Sequence, residues 1–309
     1  QRQMCIRDSH RPYVDNVSIK CEKCGGTMHR VPDVIDVWFD SGAMPFAQLH
    51  YPFENKELFE NYYPADFICE GIDQTRGWFY SLMAISTITM GKAPYKNVLV
   101  NDLVVDKNGQ KMSKSKGNTL DPFELFDKYG ADAVRFYSLY VSPAWMQTKF
   151  DESGLIEVRN NFFRTYENVY NFFCLYANTD NLTVEDLKEM NDPKLEKIDK
   201  WIYSRLNSLI KDYHDQMEVF NYNKVVHLIS DFVVEDLSNW YIRRNRKRFW
   251  TSDLTESKKA VYKTTYDVLI TIAKLVAPIT PFIAEEVYRN LSNEKTVHTK
   301  LLPCLLYTS

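Results

Sequence analysis

The feature that most limits how this chain can fold is a change of hydrophobic period about half-way along it. Up to roughly residue 145, apolar residues come in short runs broken by turn-forming pairs. From about Gly154 onward they recur at helical spacing in four long stretches, near 155–177, 193–218, 222–250 and 257–291. Asp192-Pro193, Ser252-Asp253 and the pair Pro278 and Pro281 punctuate these stretches as helix boundaries. A short-period half followed by a helical half predicts two parts: an α/β domain over residues 10–150 and an all-α bundle over residues 151–303. A chain of 309 residues has room for about two domains.

In the first half, residues 66–69 form a short apolar run ending in Glu70-Gly71, the pattern of a buried strand meeting a turn. Asp73 is expected to cap a helix from about Thr75 to Met90, which Gly91 stops. Residues 97–100 and 103–105 read as further strands, with Asn108-Gly109 as a tight turn. Asp121-Pro122 followed by Glu124 supplies a cap, a proline at the first helical position and an acidic first turn. Strand–helix–strand order predicts a parallel sheet, which binds ligands in the crevice at the carboxyl ends of its strands.

Composition excludes some classes. The formal charge is −3, so a nucleic-acid site has to be a local basic patch and not a bulk property. No apolar run approaches the 18 residues of a membrane span. The six cysteines are scattered apart from Cys21 and Cys24, the pattern of a reduced, cytoplasmic protein and not of a disulfide scaffold. Residues 1–9 and 304–309 fit no neighbouring pattern; they are read as non-native tails, and the rest as an internal piece of a longer protein.

Four segments can carry chemistry. Lys111-Met112-Ser113-Lys114-Ser115 packs two ammonium groups and two hydroxyls into five residues directly after the Asn108-Gly109 turn. A mobile loop of this kind can neutralise charge growing on a polyphosphate; a solvated surface loop has the same composition. Glu70, Gly71, Asp73 and Gln74 gather acceptors and a donor at the end of a strand, suited to ribose hydroxyls and an ammonium group, although a charged first turn is the ordinary alternative. Trp38, in Asp36-Val37-Trp38-Phe39-Asp40-Ser41-Gly42, is a ligand wall or a core residue. Finally, Arg243, Arg244, Arg246, Lys247 and Arg248 place five cations in six residues between Trp240-Tyr241 and Phe249-Trp250, suited to phosphates and bases or to a solvated helix face.

Together these segments resemble the isoleucyl-tRNA synthetases among the class I aminoacyl-tRNA synthetases. Residues 111–115 match the KMSKS signature without a mismatch, and Lys116-Gly117-Asn118 with Asp121-Pro122 continue the pattern. Residues 70–79 resemble the adenylate-binding segment, and 36–42 resemble the family's strand-and-loop element whose Trp faces the amino-acid side chain. Gly42-Ala43-Met44-Pro45-Phe46 and Tyr51-Pro52-Phe53-Glu54 look most like the isoleucyl subtype shared by eukaryotes and some bacteria. The resemblance covers nearly all of residues 10–300, with valyl enzymes and a non-catalytic tRNA-binding descendant as alternatives.

What the resemblance implies is specific. Residues 10–150 would be the second half of a Rossmann-like class I catalytic domain, and 151–303 part of a helical anticodon-binding domain. The activity would be ATP-dependent activation of L-isoleucine and its transfer to tRNA(Ile), with Mg2+ accompanying ATP, by a cytoplasmic enzyme that is monomeric at full length. Lys111 and Lys114 would be catalytic, binding ATP with Ser113 and Ser115, with Met112 anchoring their loop by apolar packing. Glu70, Gly71, Asp73, Gln74, Trp38 and Trp78 would hold the aminoacyl-adenylate. Arg243 to Arg248 would contact tRNA through the five cations named above. Cys21 and Cys24 would form half a zinc site, since a tetrahedral centre needs four ligands. Two departures stand out: the HIGH motif is not found in these 309 residues, and Asn101-Asp102 stands where many relatives carry His-Gly or Asn-Gly.

Overall fold

The computed structural model describes residues 11–33, 36–113, 115, 117–190 and 193–305. Cys5, Lys114, Lys116, Asp192 and most of both tails lie outside the described residues. Two compact units emerge, dividing between Val98 and Leu99.

The first unit opens with a 3-10 turn, Tyr13–Asn16, and a hairpin of β1 (Ser18–Lys20) and β2 (Thr27–His29), paired antiparallel. Helix α1 (Val37–Ala47) follows, then α2 (Lys56–Tyr62), β3 (Ala65–Gly71), a 3-10 turn (Ile72–Arg76) and α3 (Trp78–Met90). Strand β4 (Tyr95–Asn101) pairs with β3. Ala65 N–H donates to Pro94 O at 2.9 Å, and Lys96 and Asn97 both bond to Asp66. Residue numbers therefore rise together along the two strands, as the expected parallel pairing requires. The strand at 66–69 forms, yet none of β3 is buried; among the described residues its sheet has only two strands. A small aromatic cluster does the packing: Phe59 stacks between Tyr51 and Tyr63, with Phe46 tilted against both Phe59 and Tyr63.

In the second unit, β5 (Val104–Val105) and β6 (Thr148–Lys149) pair in parallel, enclosing α4 (Pro122–Tyr129) and α5 (Ala131–Tyr140). The expected cap holds: Asp121 accepts the Phe123 N–H at 2.8 Å, with Pro122 at the first helical position. Then come α6 (Glu152–Val158), a wide-turn segment Arg159–Phe163, α7 (Arg164–Thr179), α8 (Val184–Glu189) and α9 (Lys197–Glu218). Helix α10 (Tyr222–Asp231) passes through a second wide-turn segment, Phe232–Ile242, into α11 (Arg243–Trp250); α12 (Glu256–Val276) and α13 (Pro281–Ser292) complete the bundle. The four helical stretches are thus where the apolar period put them, the last split at Pro278–Pro281.

The compact units divide before residue 100, because residues after 100 pack with the helical core. Leu125, Val134, Phe136, Tyr137 and Phe150 belong to one continuous cluster with Leu155, Tyr166, Tyr213 and Ile272. Asp132 ties the ends of this core together, accepting the Phe282 and Ile283 N–H groups at 3.1 and 2.9 Å and so capping α13 from α5.

Candidate functional site

At the carboxyl end of β3 the chain makes a tight 3-10 turn, and this turn presents the acceptors that the sequence singled out. Glu70 is exposed at the strand's end. Asp73 accepts from the Gln74 amide at 3.0 Å, and Gln74 Oε1 accepts the Trp78 N–H at 2.9 Å. Asp73 therefore does not cap the helix: Gly77 takes the N-cap position, Gln74 accepts from the first turn, and α3 begins at Trp78 instead of Thr75. A left-handed Gly91 ends that helix, as expected. A Cβ at Gly71 would sit 2.6 Å from Asp73 Oδ1, so that carboxylate would have to move aside.

Trp38 lies in the first turn of a helix, not in a strand-and-loop element. Asp36 caps α1 by accepting the Trp38 N–H at 2.8 Å, which explains why the helix starts there. Its indole closes on Gly77, where an added Cβ would lie 2.9 Å from Trp38 Cη2. Trp78 Nε1 donates to Ser41 O of the same helix at 3.2 Å. Helices α1 and α3 approach closely at Gly42, where a Cβ would meet Ser81 backbone atoms at 2.7 Å. The two indoles and the Glu70–Gln74 turn thus gather on one side of the first unit. About half of the Trp38 surface stays open to solvent.

The lysine loop belongs to the second unit. Asp106 organises its base: Oδ1 accepts the Asn108 and Gln110 N–H groups at 2.9 and 2.8 Å, and Gly109 takes the left-handed conformation that the turn requires. Asn118 then latches the loop shut, donating to Asp106 Oδ2 at 2.9 Å while accepting the Ser113 N–H at 2.9 Å. Lys111 is exposed beside a bridge to Val105, and the Ser113 and Ser115 hydroxyls lie 3.2 Å apart. Met112 packs against the helical core, the apolar anchor expected of it. At Asn101-Asp102, the Asp102 carboxylate accepts the Leu103 N–H at 2.6 Å. The Asp106–Asn118 latch was missed from sequence; two side chains twelve residues apart leave no periodic signal.

On α11, Arg243, Arg244, Arg246 and Lys247 are exposed, as a phosphate-contacting face needs. Arg248 must be corrected. Its side chain is only 12% exposed and its guanidinium grips the fully buried Asp199 side chain, with Nη1–Oδ1 at 2.7 Å and Nη2–Oδ2 at 2.9 Å. It also donates to Ser257 Oγ at 2.9 Å and Ser257 O at 2.7 Å. Tyr241 adds its hydroxyl to the same carboxylate at 2.6 Å, and burial, followed by the Asp199 charge, holds its phenol far above the usual range. The aromatics divide too: Tyr241 and Phe249 are buried, whereas Trp240 and Trp250 face solvent.

Cys21 and Cys24 form a knuckle between β1 and β2, closed by Gly25 N–H to Cys21 O and Cys21 N–H to Gly26 O, both 2.8 Å. Hydrogen bonds from the Cys24 and Lys23 backbone, with one from the Cys24 side chain, hold the Cys21 thiol below its ordinary range. Two sulfurs do not complete a tetrahedral site, and among the described residues no group of three or more His, Cys, Asp or Glu comes together. The residues present therefore do not fit a whole zinc centre. His29 instead sits in β2.

Comparison with known proteins decides the family. Residues 2–151 match the sequence profile of the tRNA synthetases class I (I, L, M and V), and residues 199–307 match that of the anticodon-binding domain of tRNA ligases. Isoleucine--tRNA ligase 2 of Bacillus cereus is 53% identical over 94% of this chain, and isoleucine--tRNA ligase of Cytophaga hutchinsonii is 53% identical over 93%. The chain belongs to the class I tRNA synthetases. It spans about 28% of the length of the first relative and 26% of the second. Two class I synthetase structures share the fold. The Agrobacterium radiobacter K84 LeuRS–tRNA–LeuAMS ternary complex aligns with a TM-score of 0.70 at 21% identity, over 93% of this chain and 35% of that one. Mycobacterium tuberculosis methionyl-tRNA synthetase with methionyl-adenylate aligns with a TM-score of 0.66 at 18% identity, over 88% and 53%. None of the helices among the described residues of this class I chain is long and apolar enough to cross a membrane.

Proposed function

We propose that this chain contributes the isoleucine-facing wall, the lysine loop and part of the tRNA-binding surface of an isoleucine--tRNA ligase. Identity of about one half with isoleucine--tRNA ligases, over more than nine-tenths of the chain, carries this reading. Residues 10–150 then act as the second catalytic half and residues 151–303 as the helical anticodon-binding part. The same reading has the enzyme act in the cytoplasm as a monomer.

The chemistry follows from the side chains. The isoleucine carboxylate attacks the α-phosphate of ATP, and pyrophosphate leaves; Mg2+ accompanying ATP would neutralise part of its charge. Negative charge grows on that leaving group, so Lys111 and Lys114 favour the transition state over the bound substrates and raise the rate. Ser113 and Ser115 add hydroxyl hydrogen bonds. Glu70, Asp73 and Gln74 take the ammonium and ribose hydroxyls of the adenylate, and the Gly71 backbone lets the ligand come close. Trp38 and Trp78 offer rigid apolar faces to the branched side chain, where each buried methylene is worth about 0.8 kcal/mol. Such a pocket separates ligands differing by one methylene by only roughly 10–200-fold, and isoleucine against valine is the known instance of that limit in this enzyme class. Arg243, Arg244, Arg246 and Lys247 meet tRNA(Ile).

The test is a chimera in which this chain replaces the matching segment of the Bacillus cereus relative. Isoleucine-dependent ATP–pyrophosphate exchange, with valine a weaker substrate, is the expected outcome. A folded chimera that prefers valine, or that activates neither amino acid, contradicts the assignment.

A further inference from the structure

We propose that Trp201, Trp240 and Arg244 form a stacking site for one unpaired base of a bound RNA. The inference rests on the tRNA contact proposed above and adds to it a base-recognising position separate from the phosphate-binding cations. Trp240 lies near the end of the wide-turn segment Phe232–Ile242, with 48% of its surface exposed. One turn on, the Arg244 guanidinium lies over the indole, 4.5 Å from the ring centroid. From α9, Trp201 approaches the same indole with ring centroids 6.3 Å apart and planes tilted by 58°. Arg205, one turn beyond Trp201, pairs at 2.9 Å with Asp236, one turn before Trp240. That ion pair fixes the register of the two faces.

An exposed indole covered by a planar cation is a poor surface for a protein partner, because the apolar area is small and the helix that follows carries exposed charges at Arg243 and Lys247. It is well suited to a nucleobase. Every base has a flat π-face, and stacking on aromatic and guanidinium planes is how single-stranded RNA is held. The base must be unpaired, since a base inside a duplex already has both faces covered. In the free protein Arg244 occupies the place of the base; when RNA binds, its flexible stem lets the guanidinium lift and become the outer plate of a sandwich. Arg243, Arg246 and Lys247 take phosphates on either side.

Stacking and phosphate contacts differ in their dependence on salt, because only the latter release counterions. The experiment measures binding of the 309-residue chain to an unmodified tRNA(Ile) transcript over a series of KCl concentrations. Trp240→Ala should weaken binding roughly 5- to 150-fold, the range of one stacked base, without changing the slope of log Kd against log salt. Trp240→Phe should recover most of that loss, and Arg246→Ala should reduce the slope by about one. Thermal unfolding should be unchanged by Trp240→Ala, since the ring is half in solvent. If Trp240→Ala binds within about twofold of the parent while Arg246→Ala lowers the slope, stacking is overturned and the phosphate contact stands. Equal losses in the Ala and Phe variants, or a slope change in either, also overturn it. Salt-insensitive binding, or none, overturns both.

Discussion

The two compact units solve the problem of burial in opposite ways. In residues 99–305 one continuous apolar cluster runs from Leu125 to Val297; some polar side chains that enter it are paired, as in Arg248–Asp199–Tyr241 and Lys258–Asp180, while the buried Tyr166 and Tyr213 hydroxyls find no partner among the described residues. In residues 11–98 only Phe59, Tyr63, Phe79 and Leu82 are buried among the large apolar side chains described, while Trp38, Phe39, Phe53, Tyr80 and Ile88 face outward. A two-stranded sheet with one helical layer cannot enclose much volume, so the first unit offers apolar surface where the second consumes it. The proposed amino-acid wall is built on that open side, and the proposed RNA face on the outside of a closed core.

Hydrogen exchange should reveal the contrast most strongly. Amides of α9 and α12 should exchange slower than those of α1 and β3 by a factor on the order of 10³ or more, since core helices open only with global unfolding. Comparable protection in both units would break the comparison. Next in size, Arg248→Ala should cost the second unit about 3–5 kcal/mol in denaturant unfolding, because it leaves the Asp199 carboxylate buried without its cation. The exposed neighbour Arg246→Ala should change stability by no more than about 0.5 kcal/mol. In the first unit, Gly42→Ala should cost about 1–3 kcal/mol, as its Cβ meets the Ser81 backbone, which cannot turn aside. Gly77→Ala should displace the Trp38 ring instead, seen as altered tryptophan fluorescence with a smaller loss.

The smallest effect concerns acid. Hydrogen bonds from the Val297 backbone to Glu285 and from Lys128 to Glu152 lower the folded pKa of both carboxyls. Their contribution is complete above the ordinary glutamate pKa of about 4.3 and is lost as pH falls through the depressed folded values. Asp186, bonded by Thr183, and Glu294, bonded by Lys300, are depressed in the same unit. The first unit has Asp15, lowered by Arg11 and then Arg30. Mild acid below about pH 4 should therefore weaken the second unit more, and Glu285→Gln should flatten part of that slope in pH-dependent melts.

Much of this was legible in the sequence. The change of period, the Asp121-Pro122 cap, the Gly91 stop and the parallel strand–helix–strand unit all rest on local rules, and local rules survive folding. What escaped were choices between near neighbours or between distant ones. Asp73 is the expected cap of α3, but the 3-10 turn puts Gly77 at the N-cap position and Gln74 beneath the Trp78 N–H. Arg248 looked like part of a charge run. It nevertheless follows Tyr241 by two helical turns and Asn245 by one, and both of those are buried, so helical spacing turns it inward with them.

In the proposed function, Trp38 and Lys111 each serve isoleucine activation. ATP–pyrophosphate exchange by the chimera carrying this chain tests it most directly, with Trp38→Ala and Lys111→Ala measured beside the parent. Isoleucine-dependent exchange is expected, with a raised KM for isoleucine in the first variant and a lowered kcat in the second. Exchange unaltered by either substitution would contradict it.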